Sequence, residues 1–227
     1  MAQNASMVAA SGWRQLLDVV EAAQRRFAAM VGTLPVAEGL PHSVYVRFLS
    51  MQHALTKGVQ KHFLAMAAHP ELQGRTHLRR FLIDFGLEEE PHYALAKQDL
   101  DRLGAAVVPP PIDVALWWAY FDGVVPTRPF VRLGATCVLE SISAQANPRI
   151  RELLANSPFL DASNTKFVVL HQHEVVPHGD QVLGEIERAD LTEQQLATLV
   201  EGARAAELFY LRMTGWVLSG VEVGRGA

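Results

Sequence analysis

Apolar residues recur at three- and four-residue steps along nearly the whole chain, and no segment keeps the two-residue alternation of a half-buried strand. This spacing places the apolar side chains on one face of a helix, so it predicts helices rather than a sheet. Proline and glycine interrupt the pattern, most strongly at 109–111, where three prolines follow one another. The chain is therefore predicted to be all-α.

Caps and helix breakers divide this pattern into segments. The predicted helical segments cover about 11–31, 43–68, 75–103, 114–121, 126–146, a short piece within 148–158, 163–187 and 192–218. Pro177 interrupts the 163–187 segment, and Thr192 with Gln195 matches a capping box that begins the last helix. No linker is long enough to divide the chain, which predicts one domain over 1–227, with its core at about 43–218, built as a bundle of about seven or eight helices.

The composition limits the classes of function. Hydrophobic residues make up 49% of the 227 residues and charged residues 19%, so the chain can bury a large core. The net charge of -4, without a basic tract, argues against a nucleic-acid partner. The single cysteine, Cys137, excludes a disulfide framework and fits a reducing compartment. The first residues lack the features of a signal peptide, and no uncharged run approaches the length of a membrane span. A soluble, cytoplasmic protein is expected.

The first candidate site is the acidic run that leads into Pro91 and His92. Glu88 lies four residues before His92 and Glu89 lies three before it, so either carboxylate can share a helix face with the imidazole. Helix-bundle di-iron proteins present two metal ligands with this Glu-x-x-His spacing. The alternative is an acidic first helical turn that interacts with the helix dipole.

The second candidate is Glu140, an isolated carboxylate in an apolar stretch. No other charged residue lies between Arg132 and Arg149. Because an unpaired buried charge is too costly, Glu140 lies either at a helix edge or in the interior with a partner, and a metal ion is one such partner.

The third candidate is formed by His171, Glu174 and His178. The two histidines are seven residues apart, which is two helical turns, and Glu174 lies between them on nearly the same face. Imidazole and carboxylate ligands together suit Fe(II), Mn(II) or Zn(II). The alternative is a row of partly exposed polar positions.

Three further residues are weaker candidates. Cys137 is a possible nucleophile, although a lone cysteine among threonine, valine and leucine is more often a small core residue. His53 and His62, both on the predicted 43–68 helix, are candidates for the wall of a substrate cavity.

Taken in order, these clusters resemble the heme-oxygenase-like superfamily, which includes TenA-type thiamin hydrolases, pyrroloquinoline-quinone synthase and non-heme di-iron oxidases and oxygenases. Residues 88–104 are similar to the second core helix of that group, residues 133–140 to the third and residues 167–178 to the fourth. The resemblance covers most of 43–186 and implies a heme-oxygenase-like helical bundle. It also implies, for the iron-containing branch, an O2-dependent enzyme that oxidises a small organic substrate at one or two non-heme iron ions.

By this resemblance, four residues fall on metal-ligand positions: His92, Glu140, His171 and His178.

The chain departs from the superfamily pattern at two ligand positions. Val175 stands where the group has an aspartate, so Glu174 is the nearest carboxylate and is expected to be a ligand or to orient one. Phe85 stands where the group has a glutamate, so Glu88 or Glu89 would have to replace that ligand.

Two alternatives to the iron enzyme stay open. The first is a metal-free enzyme similar to TenA or pyrroloquinoline-quinone synthase that binds a small heterocyclic substrate. Cys137 lies on the helix where TenA-type enzymes have their nucleophile, but it lacks the preceding proline and the following aromatic residues, which argues against thiamin hydrolysis. The second is a non-catalytic binding domain of the same fold. A homodimer is expected on fold analogy alone.

Overall fold

The computed structural model describes residues 2–172 and 177–221, with side chains over 11–170 and 177–221. Within these ranges every regular element is a helix, which confirms the all-α prediction. The α-helices are α1 (Ala2–Val31), α2 (His42–Thr56), α3 (Gln60–Ala68), α4 (Thr76–Glu89), α5 (His92–Arg102), α6 (Ile112–Val124), α7 (Pro129–Leu139), α8 (Asn147–Ala155), α9 (Lys166–Gln172), α10 (His178–Glu187) and α11 (Glu193–Ser219). Two short 3-10 helices cover Val36–Glu38 and Pro70–Leu72.

Two of the long helices predicted from the sequence are each broken in the structure. The 43–68 segment is divided between α2 and α3, because Gly58 has a φ of 85°, a left-handed conformation that glycine adopts at little cost. The 75–103 segment is divided at Pro91, which lacks an N–H and crowds the preceding helical turn. The second break has a functional consequence, since Glu89 ends α4 and His92 begins α5.

The end of α7 also differs from the prediction. The helix was expected to continue to about residue 146, but it ends at Leu139 and Glu140 is its C-cap. The backbone N–H of Glu140 donates to the carbonyl of Thr136, and residues 140–146 form a succession of turns. Glu140 therefore lies where the chain leaves the centre of the bundle.

Helix α7 is the centre of the bundle, and all its residues over 129–138 are buried. A helix enclosed on every side can be apolar around its whole circumference, and apart from Arg132 and Thr136 this one is. It packs along α11 and also meets α1, α3, α6 and α10, while α2 packs on α5 and α3 on α4. The last helix, α11, begins with the predicted capping box of Thr192 and Gln195.

The backbones of α7 and α11 touch where they cross. A Cβ atom on Gly202 would lie 1.7 Å from the carbonyl oxygen of Val131, and one on Gly134 would lie 1.9 Å from that of Leu199. Real Cβ atoms do not approach a backbone oxygen this closely. Glycine at both positions is therefore what allows the central helix to lie directly against α11.

Among the described residues, every helix is too short or too polar to cross a membrane.

Candidate metal centre

Three ionisable side chains from different parts of the chain meet inside the bundle. Glu89 at the end of α4, Glu140 at the end of α7 and His178 at the start of α10 each place a potential ligand atom within 4.8 Å of the other two. Glu89 and His178 are buried, and the Glu140 side chain is 15% exposed. Each of the three residues lies at a helix terminus. At such a position a single charged side chain can point into the bundle while the rest of the helix keeps an apolar face.

The ring of His178 lies between carboxylates. Its Nδ1 atom is 3.4 Å from Oε1 of Glu89 and 3.6 Å from Oε2 of Glu140, and its Nε2 atom is 3.2 Å from Oε1 of Glu88. Glu88 is at the rim of the cluster, with 57% of its side chain exposed. His92 is buried next to Glu89, and its Nδ1 atom lies 2.7 Å from Oε2 of that residue. Glu89 and His92 thus form a direct i, i+3 hydrogen bond across the Pro91 break.

Close packing fixes the position of His178. Pro177 is the N-cap of α10, and the next turn presses so closely on the end of α7 that a Cβ on Gly179 would lie 2.3 Å from Oγ of Ser141. The imidazole meets the ring of Phe85 edge to face, with the centroids 4.9 Å apart. Phe85 thus forms an apolar wall of the cluster.

The carboxylates determine the charge of the two histidines. Burial lowers the pKa of His178, but hydrogen bonds and Coulombic attraction from Glu140 and Glu89 outweigh burial and raise that pKa to about 11. Burial also lowers the pKa of His92, but the hydrogen bond to Glu89 and the charges of Glu89 and Glu140 outweigh burial and raise that pKa. Without a metal His178 is therefore an imidazolium at neutral pH, and a metal ion would have to displace its proton.

The donor set suits a first-row divalent ion. Atoms that share one ion lie within about twice the metal–ligand bond length of about 2.0–2.2 Å. Both distances from His178 Nδ1 to the carboxylate oxygens satisfy this condition. Oxygen and imidazole donors without a thiolate are typical of Fe(II), Mn(II) or Zn(II) sites. The residues present therefore fit a metal centre of the kind that the sequence predicts.

A buried cation lies near the cluster. Arg132 on α7 is 1% exposed, and its guanidinium packs over the rings of Phe63, Trp117 and Phe121. Burial lowers its pKa to about 10, while the charges of Glu140 and Glu89 act in the opposite direction, so it is a cation at neutral pH. Arg132 is a candidate that the motifs of the sequence do not reveal, although a single arginine in an apolar helix is a visible signal.

His62 and Asp122 hold this arginine. Nε of Arg132 donates to Nδ1 of His62 at 3.4 Å, and Nε2 of His62 lies 2.7 Å from Oδ1 of Asp122. His62 therefore accepts on one ring nitrogen and donates from the other, which requires the neutral imidazole. Burial and the nearby Arg132 lower the pKa of His62 to about 4, despite the opposing effect of Asp122.

The lowered pKa of His62 predicts a loss of stability in acid. The folded protein resists protonation of His62 down to pH 4, whereas the unfolded chain takes up this proton near pH 6.5. Its contribution is present above pH 6.5 and is lost as the pH falls towards 4, to a total of about 3 kcal/mol. Urea denaturation across this pH range should show that the free energy of unfolding falls more steeply with decreasing pH for the wild type than for His62→Gln. A His77→Gln variant, which removes an exposed histidine, should follow the wild type; equal slopes for all three would contradict this assignment.

A cavity of about 220 Å³ adjoins the cluster. Glu89, Glu140 and Arg132 form part of its wall, together with Gln52 and Tyr210, whose side chains hydrogen-bond to each other at 2.9 Å. Most of the remaining wall is aliphatic or aromatic and comes from α1, α2, α7, α8 and α11. The cluster thus faces an apolar chamber that can hold a small organic molecule.

The other predicted site residues lie in different surroundings. Nδ1 of His53 contacts the carbonyl of Tyr93 at 2.9 Å, so this histidine lies outside the cavity wall. Cys137 is fully buried, its thiol donates to the carbonyl of Leu133, and burial raises its pKa to about 12, which disfavours a nucleophilic thiolate. His171 belongs to α9, but its side chain lies outside the described ones, as does Glu174 altogether.

The helical bundle and its buried carboxylate–histidine cluster define a class: an all-α protein with a candidate metal centre beside a cavity. No family model matches the chain, and no curated protein matches it significantly.

A comparison with solved structures identifies the fold. The chain is similar to the crystal structure of a domain of unknown function with a heme oxygenase-like fold from Shewanella denitrificans OS217. The TM-score is 0.74, the sequence identity is 17%, and the match covers 93% of this chain and 98% of that chain. The chain therefore has the heme oxygenase-like fold that the sequence predicted.

Proposed function

We propose that the protein is a non-heme iron enzyme that uses O2 to oxidise a small organic substrate. The observation that supports this most strongly is the convergence of Glu89, Glu140 and His178 beside a cavity whose wall includes the two carboxylates. A cluster that served only for stability would not need to face an apolar chamber. The fold is consistent with the proposal, and the chemistry of the donor set supports it independently of the fold.

Each residue of the cluster has a role in this proposal. Glu89, Glu140 and His178 hold the ion, and His92 orients Glu89 through the hydrogen bond from its Nδ1. His92 also stays a proposed ligand, together with His171 and Glu174.

The chemistry follows from the ion and its surroundings. Bound iron would activate O2, and the organic substrate that is oxidised would supply the electrons that reduce it. The mainly apolar cavity wall favours an organic substrate next to the cluster. Glu88, at the exposed rim, lies within hydrogen-bond distance of His178 and can carry protons between the cluster and solvent.

Oxygen uptake by the iron-loaded protein tests this function. Protein loaded with Fe(II) under anaerobic conditions and then mixed with oxygenated buffer should consume O2 at least about tenfold faster than a Glu140→Gln variant treated in the same way. A Glu207→Gln variant is the control, because Glu207 is a similarly buried carboxylate that pairs with Arg26 on another face of the bundle. Equal uptake by the wild type and Glu140→Gln would contradict the proposed function.

A further inference from the structure

The donors of Arg132 are incompletely satisfied although the residue is almost fully buried. A guanidinium carries five N–H donors. Arg132 uses Nε towards His62 and one Nη1 hydrogen towards Thr136, at 2.7 Å, and no other described residue accepts a hydrogen bond from it. Leaving the remaining donors of a buried cation without acceptors is costly.

The same guanidinium lines the cavity and is held in a fixed orientation. His62, itself fixed by Asp122, holds the Nε edge, and Thr136 holds one Nη atom. The aromatic rings of Phe63 and Trp117 cover its faces at 5.1 and 5.6 Å. What remains is a pre-oriented cationic group in the cavity wall, which suits the planar, two-oxygen geometry of a carboxylate.

The balance of charge also favours an anion. If a divalent ion binds as proposed above, Glu89 and Glu140, the two described carboxylates that would hold it, balance its two positive charges. Arg132 then contributes a positive charge that no described carboxylate pairs with directly. This step of the inference depends on the proposed function, whereas the donor count and the orientation of Arg132 do not.

The volume of the cavity and its remaining wall limit the kind of molecule that can carry the anionic group. The cavity is larger than one of about 150 Å³ that holds benzene and smaller than the roughly 300–1,000 Å³ of a site for a drug-sized ligand. Its wall is mainly apolar, with Phe27, Val31, Met51, Leu55 and Leu153 among its members. We propose that the cavity binds a small monocarboxylic acid with an apolar body, and that Arg132 is the residue that selects for the carboxylate.

Binding of octanoate tests this proposal without any need for turnover. Calorimetric titrations would compare octanoate with octanol, using metal-free protein and protein loaded with redox-inactive Zn(II). Wild-type protein should bind octanoate more tightly than octanol. Arg132→Gln should weaken octanoate binding by about ten- to a hundredfold and leave octanol binding unchanged. Arg132→Lys keeps the charge but loses the planar guanidinium, so its affinity for octanoate should lie between those of the wild type and Arg132→Gln.

The controls separate this proposal from the metal centre. Arg79→Gln removes a guanidinium that bonds to the carbonyl of Ala67 outside the cavity, and it should bind octanoate as the wild type does. Equal affinity of the wild type for octanoate and octanol would overturn the proposal, as would undiminished octanoate binding by Arg132→Gln. If Arg132→Gln fails to fold, the wild-type preference and the Arg132→Lys variant still decide. Selective octanoate binding by a protein that takes up no metal would refute the proposed function but not this inference.

Discussion

Glutamine in place of Glu140 is expected to weaken Fe(II) binding by about a hundredfold or more. The substitution keeps the shape of the side chain but removes one of the two carboxylate charges that neutralise the ion. It also replaces an anionic oxygen, 3.6 Å from His178 Nδ1, with a neutral amide. Anaerobic titration with Fe(II) against a competing chelator measures the affinity directly.

The control for this experiment is Glu207→Gln. The side chains of Glu140 and Glu207 are 15% and 12% exposed, so the two substitutions remove carboxylates from similar environments. Only Glu140→Gln should change the affinity for Fe(II). If both variants bind Fe(II) as tightly as the wild type, Glu140 is not a ligand and the cluster is a buried ion-pair network instead.

Alanine at Gly202 is expected to lower the free energy of unfolding by about 3 kcal/mol or more. The added Cβ would lie 1.7 Å from the backbone oxygen of Val131, so α11 has to move away from the central helix along the contact that they share. Because α7 also carries Arg132 and ends at Glu140, the displacement should disturb the cavity as well. Urea denaturation measures the loss.

A second glycine provides the matched control for this experiment. Gly123 is also helical, but a Cβ there would have no heavy atom within 4 Å. Gly123→Ala should therefore raise the free energy of unfolding by about 0.5–1 kcal/mol, since alanine restricts the unfolded chain. Similar stabilities for the two alanine variants would show that α7 and α11 are not in backbone contact.

The sequence predicted the class of the fold but not the lengths of its helices. Three- and four-residue spacing of apolar side chains is a local property, so it identified the helical regions correctly, and the capping box at Thr192 is confirmed, but the first helix begins at Ala2 rather than at residue 11. The breaks at Gly58 and Pro91 and the early end of α7 at Leu139 were missed, because the apolar pattern continues across them. Gly58 and Pro91 are local signals that the apolar pattern outweighed, whereas α7 ends without a proline or glycine, so its end was not visible in the sequence.

The cluster could also be predicted only in part. Spacing identified Glu88 and Glu89 as equivalent candidates, but the structure places Glu89 inside the cluster and leaves Glu88 at the rim. The cavity wall combines residues from distant helices, so the sequence could not show that Arg132 faces it or that His53 does not. An isolated charge in an apolar helix indicates a buried partner, but it does not identify that partner.

Metal analysis tests the central claim most directly. The protein would be produced with Fe(II) supplied and purified without oxygen, and the metal content of the wild type would be compared with that of a Glu89→Gln, Glu140→Gln double variant. The cluster predicts about one or two iron atoms per chain in the wild type and less than about a tenth of that in the variant. Folding of the variant would be checked by its thermal unfolding. A wild type without metal, or a folded variant with as much iron as the wild type, would contradict the assignment of Glu89, Glu140 and His178 as a metal centre.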